Sequence, residues 1–174
     1  MAVIVVGLGN PILGDDGVGI QVVRALAARL APRPDLTLTE ASVGGLRLME
    51  LLVGYERALI VDAIHTGRAA EGTVHEFPVD ALRAWCPTRH SASAHDMDLL
   101  TALAVGRQLG LPLPAEVHIV AVEIRPVDAF DERLSPRVAA AVPQAVARAW
   151  AWLHARPVAA LPAADRAPSG GDRP

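Results

Sequence analysis

The sequence predicts an α/β chain, a three-layer sandwich around a mostly parallel, twisted sheet of about five strands. Short runs rich in β-branched residues at 3–6, 57–62 and 116–124 have the length and composition of buried strands. Apolar residues recur at helical spacing elsewhere: Val18, Val22, Leu26 and Leu30 early in the chain, and Val138, Val142, Ala145, Ala149 and Leu153 late in it. The two kinds of segment alternate as β-α-β-α-β-β-α-β-α, the order that winds helices onto both faces of a parallel sheet.

Taken in order, Val3–Val6 predicts a central strand and 7–16 a turn. Gly17 to Leu30 predicts a helix stopped by Pro32 and Pro34. Leu36–Glu40 alternates apolar and polar, as a strand nearer an edge does. Gly44-Gly45 is a flexible loop before a short helix over Leu46–Val53, ended by Gly54. Arg57–Asp62 is the third strand and Gly72–Phe77 a fourth, with 80–94 irregular. Ser93 and Asp96 form a capping box for a helix from about Ala94 to Leu109, ended by Gly110 and Pro112. Glu116–Ile124 is the last strand. Ser135 and Pro136 are N-cap and first-turn residues of a final helix reaching about His154, with a kink expected at Pro143.

A chain of 174 residues fits one domain, able to bury roughly 70% of its unfolded surface. That domain is placed at 1–155. Residues 156–174 (RPVAALPAADRAPSGGDRP) lack any apolar period and predict a disordered tail. Formal net charge is −3 and the sixteen basic residues, all arginine, are scattered. A broad nucleic-acid surface is therefore excluded. Cys86 is the single cysteine, so no internal disulfide forms and a cytoplasmic setting is expected. The opening MAVIVVGLGN lacks the basic start of a signal peptide, and no apolar stretch is long enough to cross a bilayer.

Three residues stand where this fold would bring them together. Asp16 lies in GLGNPILGDDGVG (7–19), Asp62 ends the third strand in ALIVDA (58–63), and His95 opens HDMDLLTAL (95–103). In an open parallel sheet, ligands sit outside the carboxyl ends of the strands, which is where both aspartates are delivered. His95 falls in a helix first turn, whose positive end favours the neutral ring, while Asp96 and Asp98 oppose this. Two carboxylates and an imidazole hold a divalent ion or share a proton, the chemistry of a small hydrolase.

Other residues have plainer readings. His65 is expected as a surface loop residue or a partner near Asp62, and His118 as a satisfied core histidine. Cys86, Arg89 and His90 lack a fourth group for a metal site, and Trp85, Trp150 and Trp152 read as packing or as residues partly exposed at a partner surface. Gly7-Leu8-Gly9 with Glu40 invites a dinucleotide site. However, Ile12 replaces the third glycine, Pro11 interrupts the turn, and Asp15 and Asp16 would repel a pyrophosphate. GLGNP also resembles the opening of bacterial peptidyl-tRNA hydrolases, but no histidine follows it in ILGDDGVGI and the chain is acidic.

A longer match runs through the domain. GLGNPILGDDGVG at 7–19, VDAIHTG at 61–67, SAHDMDLLTAL at 93–103 and EIRPVDAFDERLSPRV at 123–138, in that order, resemble the hydrogenase maturation endopeptidases. The resemblance implies a phosphorylase/hydrolase-like sheet and removal of the C-terminal extension of a nickel–iron hydrogenase large-subunit precursor after nickel insertion. It implies that Asp16, Asp62 and His95 form the metal-binding and catalytic site. The metal implied is nickel supplied by the substrate, and a permanently bound metal is left open. Where many members carry a DGGT-like substrate loop, this chain has Glu40-Ala41-Ser42-Val43 and then Gly44-Gly45, so Glu40, Gly44 and Gly45 are the candidate substrate loop. The alternative is a non-proteolytic, nickel-sensing binding module for the same precursor. A monomer that docks transiently on that precursor is expected.

Overall fold

The structure, a computed structural model, describes residues 2–85, 96–126 and 130–155. Its sheet has five strands: β1 (Val3–Leu8), β2 (Leu36–Ala41), β3 (Arg57–Ile64), β4 (Val74–Pro78) and β5 (Glu116–Glu123). Their spatial order is β2-β1-β3-β5-β4. Pairs β1–β2, β1–β3 and β3–β5 are parallel, and β4 runs antiparallel on the far edge beside β5. The helices are α1 (Val18–Ala27), α2 (Gly45–Leu52), α3 (Leu82–Trp85), α4 (Asp96–Gln108) and α5 (Pro136–His154).

Two cores fill the spaces on either side of the sheet. Ala58, Ile60 and Ile64 of β3 meet Leu48 and Leu52 of α2 and Leu99 and Leu103 of α4. On the other face, Leu59, Val61 and Ala63 meet Val22 and Leu26 of α1 and Val138 and Ala149 of α5. Every residue of β1 and β3 is buried, which explains the unbroken apolar runs there. Leu36–Ala41 is half-buried because β2 is an edge. Burying each Val or Leu side chain contributes about 1.5–3 kcal/mol.

Differences from the sequence reading sit at element ends. The first helix is shorter than expected: a 3-10 turn occupies Gly14–Gly17, and α1 ends at Ala27, before the prolines. Gly45 is already the first residue of α2 rather than part of a loop. β3 continues two residues past Asp62, because Ala63 and Ile64 are buried and pair with Val122 and Glu123. Asp62 therefore does not end its strand. Gly72 takes φ +85 in a turn, so the fourth strand starts at Val74. Part of the stretch read as irregular is ordered, with a 3-10 turn at Val79–Ala81 running into α3. Trp85 stacks on Phe77 there, with ring centroids 5.1 Å apart.

α5 forms as expected. The Ser135 hydroxyl accepts the N–H of Val138 at 3.5 Å, Pro136 sits in the first turn, and the helix runs unbroken through Pro143, which lies on the exposed side. Val142 and Leu153 of the expected stripe are only half-buried, while Ala141, Val146 and Trp152 are buried. His118 is a partial correction: it is half-buried, and Nε2 lies 3.3 Å from Glu76 Oε1 without the alignment of a hydrogen bond. The Ser93 cap, Cys86, Arg89, His90 and the tail at 156–174 lie outside the described residues.

Candidate active site

The parallel strands end along one edge, and the loop after β1 folds over it. Gly9 makes that fold possible. Its φ is +134, and a Cβ there would collide with the carbonyl oxygen of Asp16. Gly19 serves the same end one turn later, since a Cβ on it would strike the carbonyls of Leu8 and Val61. The glycines let the Asp15-Asp16 turn and the start of α1 rest directly on the ends of β1 and β3.

The two adjacent aspartates in that turn do different work. Asp15 Oδ1 accepts the N–H of Ser135 at 2.6 Å, at the start of α5. Asp16 Oδ2 accepts the N–H of Asn10 at 2.6 Å and stays within the turn. The 131–135 segment closes over the same loop. Asp131 accepts the N–H of Gly14 through its carbonyl and donates its own N–H to Ile12 O at 3.2 Å. The Arg133 backbone N–H, with its side chain, holds the Asp131 carboxyl below the usual carboxylate range.

Asp62 is 2% exposed, and Oδ1 accepts the N–H of Ala63 at 2.8 Å. Alternation along β3 puts it on the side of Ala58, Ile60 and Ile64, the face covered by α2 and α4. α4 begins at this same edge. Its far end lies by the start of β3, where Gly54 N–H reaches Pro112 O at 2.8 Å, so α4 runs antiparallel to the strands. His95 immediately precedes α4 but lies outside the described residues. Asp16 and Asp62 thus share the carboxyl edge, and the chain enters α4 there. Among the described residues, no group of three His, Cys, Asp or Glu side chains gathers to hold a metal.

Gly44 and Gly45 open α2 at the same edge. Glu40, near the end of β2, is held by Arg24 of α1 in a two-pronged pair with both contacts at 2.8 Å. The Arg24 hydrogen bond keeps the Glu40 carboxyl below its ordinary range. His65 does not reach Asp62: its Nδ1–H donates to Ile124 O at 3.0 Å.

Sequence reasoning missed Glu123. This carboxylate is 1% exposed, yet it is fully employed. Oε1 accepts the N–H groups of Thr66 at 2.8 Å and Gly67 at 3.0 Å. Oε2 accepts the Thr66 hydroxyl at 2.8 Å and lies 3.1 Å from His75 Nε2. An unpaired buried carboxylate would cost several kcal/mol, so these bonds are what makes the position tenable. They fix the turn that follows Asp62. The available signal was phase: in EVHIVAVEI, Glu123 shares the buried face of Val117, Ile119 and Ala121.

The family model for hydrogenase maturation proteases matches residues 20–152. The hydrogenase 2 maturation protease of Escherichia coli K12 is 25% identical over 162 residues, 93% of this chain and 96% of that protein. HupD of Rhodobacter capsulatus, a hydrogenase expression/formation protein, is 25% identical over 84% of this chain and 69% of its own length. The solved structure of the E. coli endopeptidase HybD superposes with a TM-score of 0.77 at 25% identity, covering 88% of this chain and 92% of that one. The [NiFe] hydrogenase maturation protease HybD of Thermococcus kodakarensis gives 0.65 at 27% identity, covering 87% and 99%. The dinucleotide, peptidyl-tRNA and purely binding readings give way: this chain belongs to the hydrogenase maturation protease family, and its reaction is hydrolysis of a peptide bond.

Proposed function

We propose that this protein removes the C-terminal extension of a nickel–iron hydrogenase large-subunit precursor once nickel has been inserted. Asp16, Asp62 and His95 meet the nickel, which arrives as part of the substrate. The observation that carries the reading is Asp62, a carboxylate 2% exposed on a central strand, with the Asp16 turn packed against that strand. A carboxylate delivered to the edge where the Asp16 turn lies is placed to bind an ion or move a proton there.

Two oxygen donors and an imidazole suit nickel as well as zinc, manganese or iron. With the precursor's nickel against these groups, the nearby peptide bond is fixed in position and its carbonyl polarised. A carboxylate of the set takes a proton as water adds to the carbonyl carbon. It returns the proton to the amide nitrogen as the C–N bond breaks. Cofactor and cargo are then the same ion, with no resident metal required. We place the enzyme in the cytoplasm as a monomer that docks transiently; among the described residues, no helix is long and apolar enough to cross a membrane.

The test is the intact mass of nickel-loaded precursor after incubation with wild type or Asp62→Asn. Wild type is expected to shorten the precursor, and to leave nickel-free precursor whole. Asp62→Asn is expected to slow cleavage at least about 100-fold. Undiminished cleavage by a folded Asp62→Asn protein removes this residue from the mechanism.

A further inference from the structure

Two depressions flank α2. One, of about 660 Å³, lies between α2 and α4 and is lined by Gly44, Gly45, Leu46, Thr101 and Val105 among others. The other, of about 520 Å³, is bordered by Ser42, Val43, Glu50 and Leu51. Arg47 lines both. Leu46 and Val105 are 58% and 38% exposed, so the first trough presents bare apolar walls to solvent.

Arg47 is exposed and has no carboxylate partner among the described residues. Arg29, Arg68, Arg83 and Arg107 also have no ion pair among the described residues, but of these arginines Arg47 alone lines the two depressions. A guanidinium with no ion pair at the side of an apolar trough suits one incoming carboxylate, bound by two parallel N–H bonds. It does not suit a polyanion, because Glu40 and Glu50 line the second depression and would repel it. The trough lies toward the strand edge that carries Asp62, since Gly44 and Gly45, which line it, open α2 at that edge.

We propose that this trough binds the precursor's C-terminal extension, with apolar residues against Leu46 and Val105 and one carboxylate on Arg47. The proposal rests on the function given above and adds where the departing peptide is held. The eight residues of α2 span about 12 Å, room for roughly four extended residues.

The experiment is steady-state processing of nickel-loaded precursor by wild type and Arg47→Glu. A rise in KM of about tenfold or more with kcat within twofold supports the proposal. So does recovery of KM when the acidic residue of the extension is changed to lysine. Unchanged KM, or a fall in kcat alone, overturns it. A wild-type dimer in sedimentation that Arg47→Glu dissociates also overturns it, because a second copy would then be the occupant. Should wild type leave the precursor uncut, the proposed function fails separately. Fluorescence anisotropy of a labelled peptide of the extension then decides this proposal: weaker binding to Arg47→Glu than to wild type sustains it, and equal binding or none ends it.

Discussion

Asp15 and Ser135 stand 120 positions apart in the chain, and the aspartate carboxylate receives the serine N–H at 2.6 Å. The bond ties the first loop to the first turn of α5, where a negative charge also suits the helix end. It gives neighbouring aspartates separable roles. Asp15→Ala is expected to lower stability to urea by about 1–2 kcal/mol while cleavage persists, and Asp15→Asn, which keeps an acceptor, recovers most of that loss. Asp16→Asn is expected to do the reverse, with cleavage down about 100-fold and stability little changed. If Asp15→Ala also abolishes cleavage in a folded protein, the division of labour is wrong.

Glu123 carries a second prediction. Its Oε1 holds the N–H groups of Thr66 and Gly67, just past Asp62. Glu123→Gln replaces one acceptor with a donor in a site 1% exposed, where an added donor finds few oxygens to accept it. The expected loss is about 2 kcal/mol in urea unfolding, accompanied by faster amide exchange at Thr66 and Gly67. Exchange at those two amides equal to wild type would mean that the turn is held by something else.

Much of this arrangement was legible in the sequence. β1 and β3 are buried on both faces, as is β5 from Ile119 onward, and each carries a continuous apolar run; Ser135-Pro136 announces α5 through its cap chemistry. The positions of Asp16 and Asp62 follow from the rule that parallel strands end together. Less legible was anything set by contacts distant in sequence. The extra residues of β3 are strand because Val122 and Glu123 pair with them, and Ala63-Ile64 alone does not distinguish strand from loop. Asp15's bond to Ser135 and Arg24's grip on Glu40 join residues of separate elements, which no local pattern encodes. Glu123 was hidden because an acidic residue at a strand end ordinarily reads as exposed.

The opposite edge of the sheet gives a pH prediction. Arg57, 6% exposed, donates to Glu116 Oε2 at 2.7 Å and lies 4.1 Å over the Trp152 ring. Trp152 Nε1–H donates to Glu116 Oε1 at 2.9 Å, so the carboxylate joins β3, β5 and α5. Burial pushes the Glu116 carboxyl up, but the hydrogen bonds and charge of Arg57, with the indole N–H, leave it below the ordinary 4.5. A folded value below the unfolded one means that the pair stabilises fully above the ordinary value. That contribution is lost as pH falls through the folded value. Glu116→Gln should therefore be less stable than wild type at pH 7, by about 1–2 kcal/mol. The gap should narrow as pH is lowered from about 5 towards 3, because wild type loses the charge that the variant never had. Urea titrations of both proteins across that range read it directly, and a gap that stays constant to pH 3 would show that Glu116 contributes by shape and packing rather than by its charge.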